Sequence, residues 1–148
     1  GLVTRYPTWL AITPDSWHPD TSNIESYRGS TIWLEATPHQ LDFTIDFTPN
    51  PNKPSPAQHL TTTCIPTITP DPDPLPAMPT LPDQTEPGLN APCMWTPPGP
   101  GTVTITAHTT YTIVFRADGY TEPDDDYTRT SQPTTYTTGE LNAVNTRP

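Results

Sequence analysis

The chain of 148 residues holds 23 prolines and 30 threonines, and hydrophobic residues make up only 31% of it. Because proline interrupts helices and threonine favours strands, this composition excludes helix bundles, Rossmann folds and coiled coils, and it predicts an all-β domain with long proline-rich loops. Six Lys and Arg residues against sixteen Asp and Glu residues give a net charge of −10, which excludes nucleic acid as a partner because phosphate binding needs a basic patch. No apolar run approaches the roughly 18 residues of a membrane span, so we expect no membrane insertion within this chain.

The first 29 residues carry Trp9 and Trp17 in a segment that Pro14 and Pro19 keep irregular. A terminal segment seldom holds such large apolar groups unless they pack on something. We therefore predict that residues 1–29 form an irregular segment packed on a β domain that occupies residues 30–148.

Alternation of apolar and polar residues predicts the strands of that domain. Residues 30–36 alternate with a period of two, and residues 41–47 do so more cleanly, with Leu41, Phe43, Ile45 and Phe47 facing one way. Residues 59–65 are the next strand candidate, and a short segment, residues 93–95, is expected to return to the sheet.

The strongest alternation covers residues 102–116. As one strand this run would be roughly 50 Å long, which exceeds the usual length, so we expect a bend or bulge near His108. An acidic loop, residues 118–126, follows, and a strand pair at residues 134–138 and 141–144 is expected to close the domain.

Several short motifs occur in an order that resembles secreted PKD-like proteins of actinobacteria. They are the Tyr6-Pro-Thr-Trp-Leu opening, Ala36-Thr-Pro before a strand, the cysteine pair, the threonine-rich strand with Tyr111 and Phe115, and the ending Gly139-Glu-Leu-Asn-Ala-Val-Asn. The resemblance implies an immunoglobulin-like, PKD-like antiparallel β-sandwich with an extracellular or cell-surface location. It implies no assigned enzymatic activity.

Cys64 and Cys93 are the two cysteines of the chain. They lack the Cys-x-x-Cys spacing of zinc sites, and an extracellular domain favours a disulfide over buried free thiols. The predicted bond closes a proline-rich loop, residues 65–92, and the loop-entropy estimate of its stabilisation is about 3.5 kcal/mol.

The proline-rich loop exposes apolar residues that have no strand face to pack on, namely Leu75, Met78, Leu81 and Leu89. A polyproline II segment loses little entropy on docking, so this loop is a candidate interaction site. The alternative interpretation is that it folds back and covers a sheet face with the same residues.

The sequence predicts no catalytic centre, cofactor or metal site with a known motif. The acidic residues 118–126 offer carboxylates for calcium, but their spacing is not that of an EF-hand, and solvated loop charges are the alternative. We expect a non-catalytic structural or adhesive module that binds a protein or a cell-envelope component. A carbohydrate-binding module, which would need an exposed aromatic strip, is the alternative.

Overall fold

The computed structural model describes residues 1–65, 78–81 and 93–140, and every structural statement refers to these residues. They contain strands and a single turn of 3₁₀ helix, Pro14–Ser16, which confirms the all-β class. In chain order the strands are β1 (Leu2–Val3), β2 (Thr8–Trp9), β3 (Asp20–Thr21), β4 (Glu25–Tyr27), β5 (Ser30–Pro49), β6 (Gln58–Ile65), β7 (Met94–Trp95), β8 (Gly101–Ala117), β9 (Tyr120–Pro123), β10 (Tyr127–Thr130) and β11 (Thr134–Gly139).

Two long antiparallel strands, β5 and β8, form the axis of one curled, mixed sheet. On its other edge β5 pairs first with β4, then with β3 and finally with β6, counted from its N-terminal end. On the other edge of β8 the partners are β9, β10 and β11, counted from its C-terminal end. Strand β1 adds to β11 in the parallel direction. A small second sheet pairs β2 with β7.

Strand β5 is 20 residues long, and its pairing with β8 shifts register at His39. Pro38 lies opposite Tyr111 and Gln40 lies opposite Thr110, so His39 is an extra residue without a counterpart on β8. Because side chains alternate along a strand, one extra residue moves the inward positions from even numbers before it to odd numbers after it. This shift puts the apolar residues of both predicted runs, 30–36 and 41–47, on the same face of the sheet.

The hydrophobic core covers only part of that face. It takes Leu41, Phe43, Ile45 and Phe47 from β5 and Val103 from β8, with Ile105 and Ala107 packed against it. The side chains that cover them come from the N-terminal segment and from the disulfide region, and they include Leu10, Trp17, Cys64, Cys93 and Trp95. The Trp17 side chain of the N-terminal segment is thus part of the core.

Three sequence predictions are wrong in detail. The irregularity expected near His108 lies on the partner strand at His39, because the extra residue belongs to β5. Residues 93–95 do not return to the large sheet, since β7 pairs with β2. The expected acidic loop contains strand β9, whose polar residues hide it from a periodicity argument.

Of the remaining sequence predictions, two strands are confirmed and two predictions are not tested by the structure. Strands β6 and β11 confirm the expected strands at residues 59–65 and 134–138. The strand expected at residues 141–144 lies outside the described residues. A sandwich of immunoglobulin or PKD type stays a prediction, because the strands described form one large sheet and one small one.

Candidate functional site

A disulfide joins Cys64 at the end of β6 to Cys93 just before β7, with the two Cα atoms 5.0 Å apart. Both cysteines are buried in the core beside Trp95. The bond thus ties the small sheet to the large one, and it closes the segment that contains the predicted interaction loop.

The structure describes two of the four residues predicted as an interaction site, and these two differ in burial. Leu75 and Leu89 fall outside the described residues. Met78 is exposed, whereas Leu81 packs against the core, and the carbonyl of Pro79 between them accepts a 2.8 Å hydrogen bond from the Trp17 indole. The described part of the loop, residues 78–81, therefore rests on the N-terminal segment.

A cleft of about 420 Å³ opens between the N-terminal segment and the core face of the sheet. Phe43, Ile105 and Ala107 belong to its apolar lining, and they share one face because Phe43 lies opposite Ala107 and Ile45 opposite Ile105. Residues of the segments 8–13 and 131–136 line it as well, and they bring Trp9 and Tyr136 to the same cleft.

The cleft lining combines aromatic rings with uncharged polar groups. Besides the phenol of Tyr136, its hydroxyl and amide side chains are those of Thr8, Thr13, Ser16, Ser131, Gln132 and Thr134. Among the described residues that line it, none is Asp, Glu, Lys, Arg or His. In a chain of net charge −10 this cleft is suited to a neutral ligand with apolar and hydrogen-bonding faces.

Beyond the core, the same face of the sheet carries a second apolar surface, which we call the distal strip. It consists of three cross-strand pairs, Ile32 with Ala117, Leu34 with Phe115, and Ala36 with Ile113. Directly opposite residues point to the same side of an antiparallel sheet, so these six side chains form one surface. Leu34 is 39% exposed, and the Tyr120 ring lies edge-on to Phe115 with centroids 6.5 Å apart.

Acidic residues flank the distal strip on both sides. Asp20 lies opposite Ala36 and Glu25 opposite Ile32 on one edge, and Glu122 lies opposite Phe115 on the other. The Tyr120 hydroxyl donates a 3.1 Å hydrogen bond to Glu122, and this contact raises the pKa of the tyrosine. At the hairpin turn beside this rim, the Arg28 guanidinium stacks on the Tyr27 ring.

The opposite face of the same region is held by an ion pair. The Arg116 Nε donates to Glu35 at 2.7 Å, and the Trp33 indole donates to the other carboxylate oxygen at 3.0 Å. These hydrogen bonds, Trp33 first and Arg116 second, lower the pKa of Glu35. Trp33 thus has a polar partner on the outer face of the sheet.

The acidic residues 118–126 do not converge on one point. Asp118 accepts a hydrogen bond from the Thr31 amide, Glu122 from Tyr120, and Asp126 lies 3.7 Å from the His39 ring. Within the part of the chain that the structure describes, no group of three or more His, Cys, Asp and Glu side chains is arranged to hold a metal ion.

Comparisons with protein-family models, with curated proteins and with solved structures found no match to this chain. Among the described residues, no helix has the length and hydropathy needed to cross a bilayer.

Sequence reasoning missed both the cleft and the distal strip. The strip has a signal in the sequence, because the alternating apolar residues stand at even-numbered positions up to residue 36 and at odd-numbered positions from residue 41. Within one continuous strand, only a bulge can put both runs on one face. The cleft has no such signal, since its walls come from segments more than 100 residues apart in the chain.

Proposed function

We propose that this protein is a non-catalytic extracellular adhesive or structural module that binds a basic, partly apolar segment of a protein partner on its distal strip. The observation that carries the proposal is the apolar surface beyond the limit of the core, where Leu34 is exposed and its partner Phe115 is half-buried. Exposed apolar patches rimmed by polar groups are typical of interaction sites in soluble proteins.

The negative charge around the strip favours a positively charged partner. Asp20, Glu25 and Glu122 lie on the strip's own face, and the whole chain carries a net charge of −10. Such a field attracts a cationic segment and repels an acidic one, while the apolar centre supplies the burial that holds it.

The extracellular location and the kinship to immunoglobulin-like PKD domains belong to the same proposal. The disulfide between Cys64 and Cys93 supports an oxidising compartment, since such bonds are rare in the reducing cytosol. The order of the sequence motifs supports the kinship.

A series of labelled peptides tests the type of partner. The peptides share length and apolar content, and they differ in charge, one basic, one neutral and one acidic. We expect saturable fluorescence anisotropy with the basic peptide alone, with weaker binding at high salt because exposed charges are screened. Equal binding of all three peptides, or binding of none, would contradict the proposal.

A carbohydrate-binding module is the second candidate, and the cleft favours it. Trp9 and Tyr136 can stack on a sugar ring, and the surrounding hydroxyl and amide groups can hydrogen-bond its hydroxyls. The test is a titration of tryptophan fluorescence with neutral oligosaccharides, using Tyr136→Ala as the cleft variant. Tyr127→Ala is the matched control, because Tyr127 is exposed on β10 and does not line the cleft.

A further inference from the structure

A second, smaller pocket lies beside the turn between β5 and β6, at the end of the sheet opposite the turns at residues 28–29 and 118–119. Four separate segments meet there: residues 4–5 after β1, residues 53–55 after β5, residues 98–100 before β8, and Glu140 after β11. The pocket has a volume of about 270 Å³, several times that of a water molecule. It is separate from both the cleft and the distal strip.

Two buried hydroxyl groups line this pocket without a hydrogen-bond partner. They are the Oγ1 of Thr4, a residue only 8% exposed, and the Oγ of Ser55. In the part of the chain that the structure describes, these two atoms are the buried side-chain polar atoms that lack a partner. A buried hydroxyl without a partner is unfavourable, so each one that persists needs an explanation such as a ligand.

The pocket also concentrates positive charge. Arg5 and Lys53 are two of only six Lys and Arg residues in the chain, and both line it. One carboxylate is present as well, since Glu140 Oε2 lies 3.2 Å from Lys53 Nζ, and both of these side chains are more than half exposed. Glu140 therefore shows that Lys53 can hold a carboxylate at this place.

The backbone around the pocket is held in a defined shape. Arg5 has a φ of +65°, which a non-glycine residue adopts rarely, and its amide donates to Pro97 O at 2.9 Å. Gly99 approaches Ser55 so closely that a Cβ there would lie 2.7 Å from the serine Oγ. Pro54, Pro98 and Pro100 stiffen the rim, so little order has to be gained when a ligand binds.

We propose that this pocket binds a compact oxyanion, a phosphate or a carboxylate group. The Arg5 guanidinium and the Lys53 ammonium supply the charge, and the hydroxyls of Thr4 and Ser55 donate hydrogen bonds to the ligand's oxygens. Arginine suits such a ligand because its planar fork matches the geometry of phosphate and carboxylate. Glu140 competes with the ligand for Lys53.

Titration of the ¹⁵N-labelled protein with inorganic phosphate and, separately, with acetate tests this site, with sodium chloride at equal ionic strength as the reference. We expect saturable shifts of the Arg5, Ser55 and Gly99 amides with at least one of the two anions. The anion that binds more tightly identifies the class of ligand. Shifts that match those of chloride would overturn the proposal.

Four variants make the test specific. Lys53→Gln is expected to weaken binding by about tenfold, as for loss of a charged hydrogen-bond donor, whereas Glu140→Gln is expected to strengthen it. Thr4→Val keeps the shape of the side chain, so we expect weaker binding with an unchanged or higher melting temperature. Arg129→Gln, which removes a cation from exposed strand β10, is the control and should bind as the unchanged protein does. Weaker binding by Glu140→Gln, or unchanged binding by Thr4→Val or Lys53→Gln, would overturn the assignment.

Discussion

Pro38 on β5 lies directly opposite Tyr111 on β8, and both residues are buried. One position further along β5 the pairing passes over His39, whose ring nitrogen Nδ1 lies 2.8 Å from the Thr112 hydroxyl. The extra residue decides which side chains reach the distal strip, because without it Leu34 and Ile32 would point to the outer face.

Deletion of His39 tests this account of the bulge. We expect the shortened strand to place the side chains before residue 39 on the opposite face, at a cost of at least about 2 kcal/mol in the free energy of unfolding. Urea denaturation followed by tryptophan fluorescence measures it. The control is His39→Asn, which keeps the residue count, and a deletion no more destabilising than this substitution would show that the bulge does not set the register.

Reduction of the Cys64–Cys93 bond should lower stability substantially. The bond closes a loop of 29 residues, and the loop-entropy relation gives about 3.5 kcal/mol for that size. The comparison is between denaturation curves of the unchanged protein and of a Cys64→Ser/Cys93→Ser double variant. A difference below about 1 kcal/mol would contradict the loop-entropy explanation of the bond's contribution.

The proline-rich segment contains a matched pair of residues for a packing test. Leu81 packs on the core and Met78 is exposed, so we expect Leu81→Ala to cost about 1–2 kcal/mol and Met78→Ala less than about 0.5 kcal/mol. Melting temperatures of the two variants provide the comparison. Equal effects would contradict the docking of residues 78–81 on the core.

The lowered pKa of Glu35 makes part of the stability depend on pH. A carboxylate whose pKa is lower in the folded state stabilises the fold fully above its ordinary pKa, near 4.5, and loses that contribution as the pH falls through the lowered value. We expect Glu35→Gln to be less stable than the unchanged protein at neutral pH, with the difference shrinking below about pH 4.5. Unfolding curves at a series of pH values measure it, and a difference that grows on acidification would contradict the assignment.

The parts of the fold that follow from the sequence are the strands with one buried and one solvated face. Residues 41–47 and 102–116 alternate because one side of each strand packs on the core. The edge strands β3, β4, β9 and β10 are exposed at every position, so no apolar periodicity marks them. They form because the long central strands offer them backbone partners, which is a tertiary effect.

The candidate sites were beyond sequence reasoning for a related reason. The distal strip needs the register of β5 against β8, and the oxyanion pocket joins Thr4, Ser55, Gly99 and Glu140 from four distant segments. The cysteine pair is the exception, since its bond is expected from the spacing of the two cysteines and from the predicted extracellular location. Pairings between distant segments are set by packing and register, and a single sequence does not display them.

The proposed binding surface is tested most directly by moving one positive charge between two places on the sheet. Leu34→Lys puts the charge in the distal strip, and Thr61→Lys puts it at an exposed position of β6, where Thr61 lies opposite Thr44. Both variants have the same net charge, and circular dichroism checks that both are folded. We expect Leu34→Lys to bind the basic peptide at least about tenfold more weakly than Thr61→Lys does, because Leu34→Lys removes apolar contact and adds local repulsion. Equal affinities of the two folded variants would contradict it.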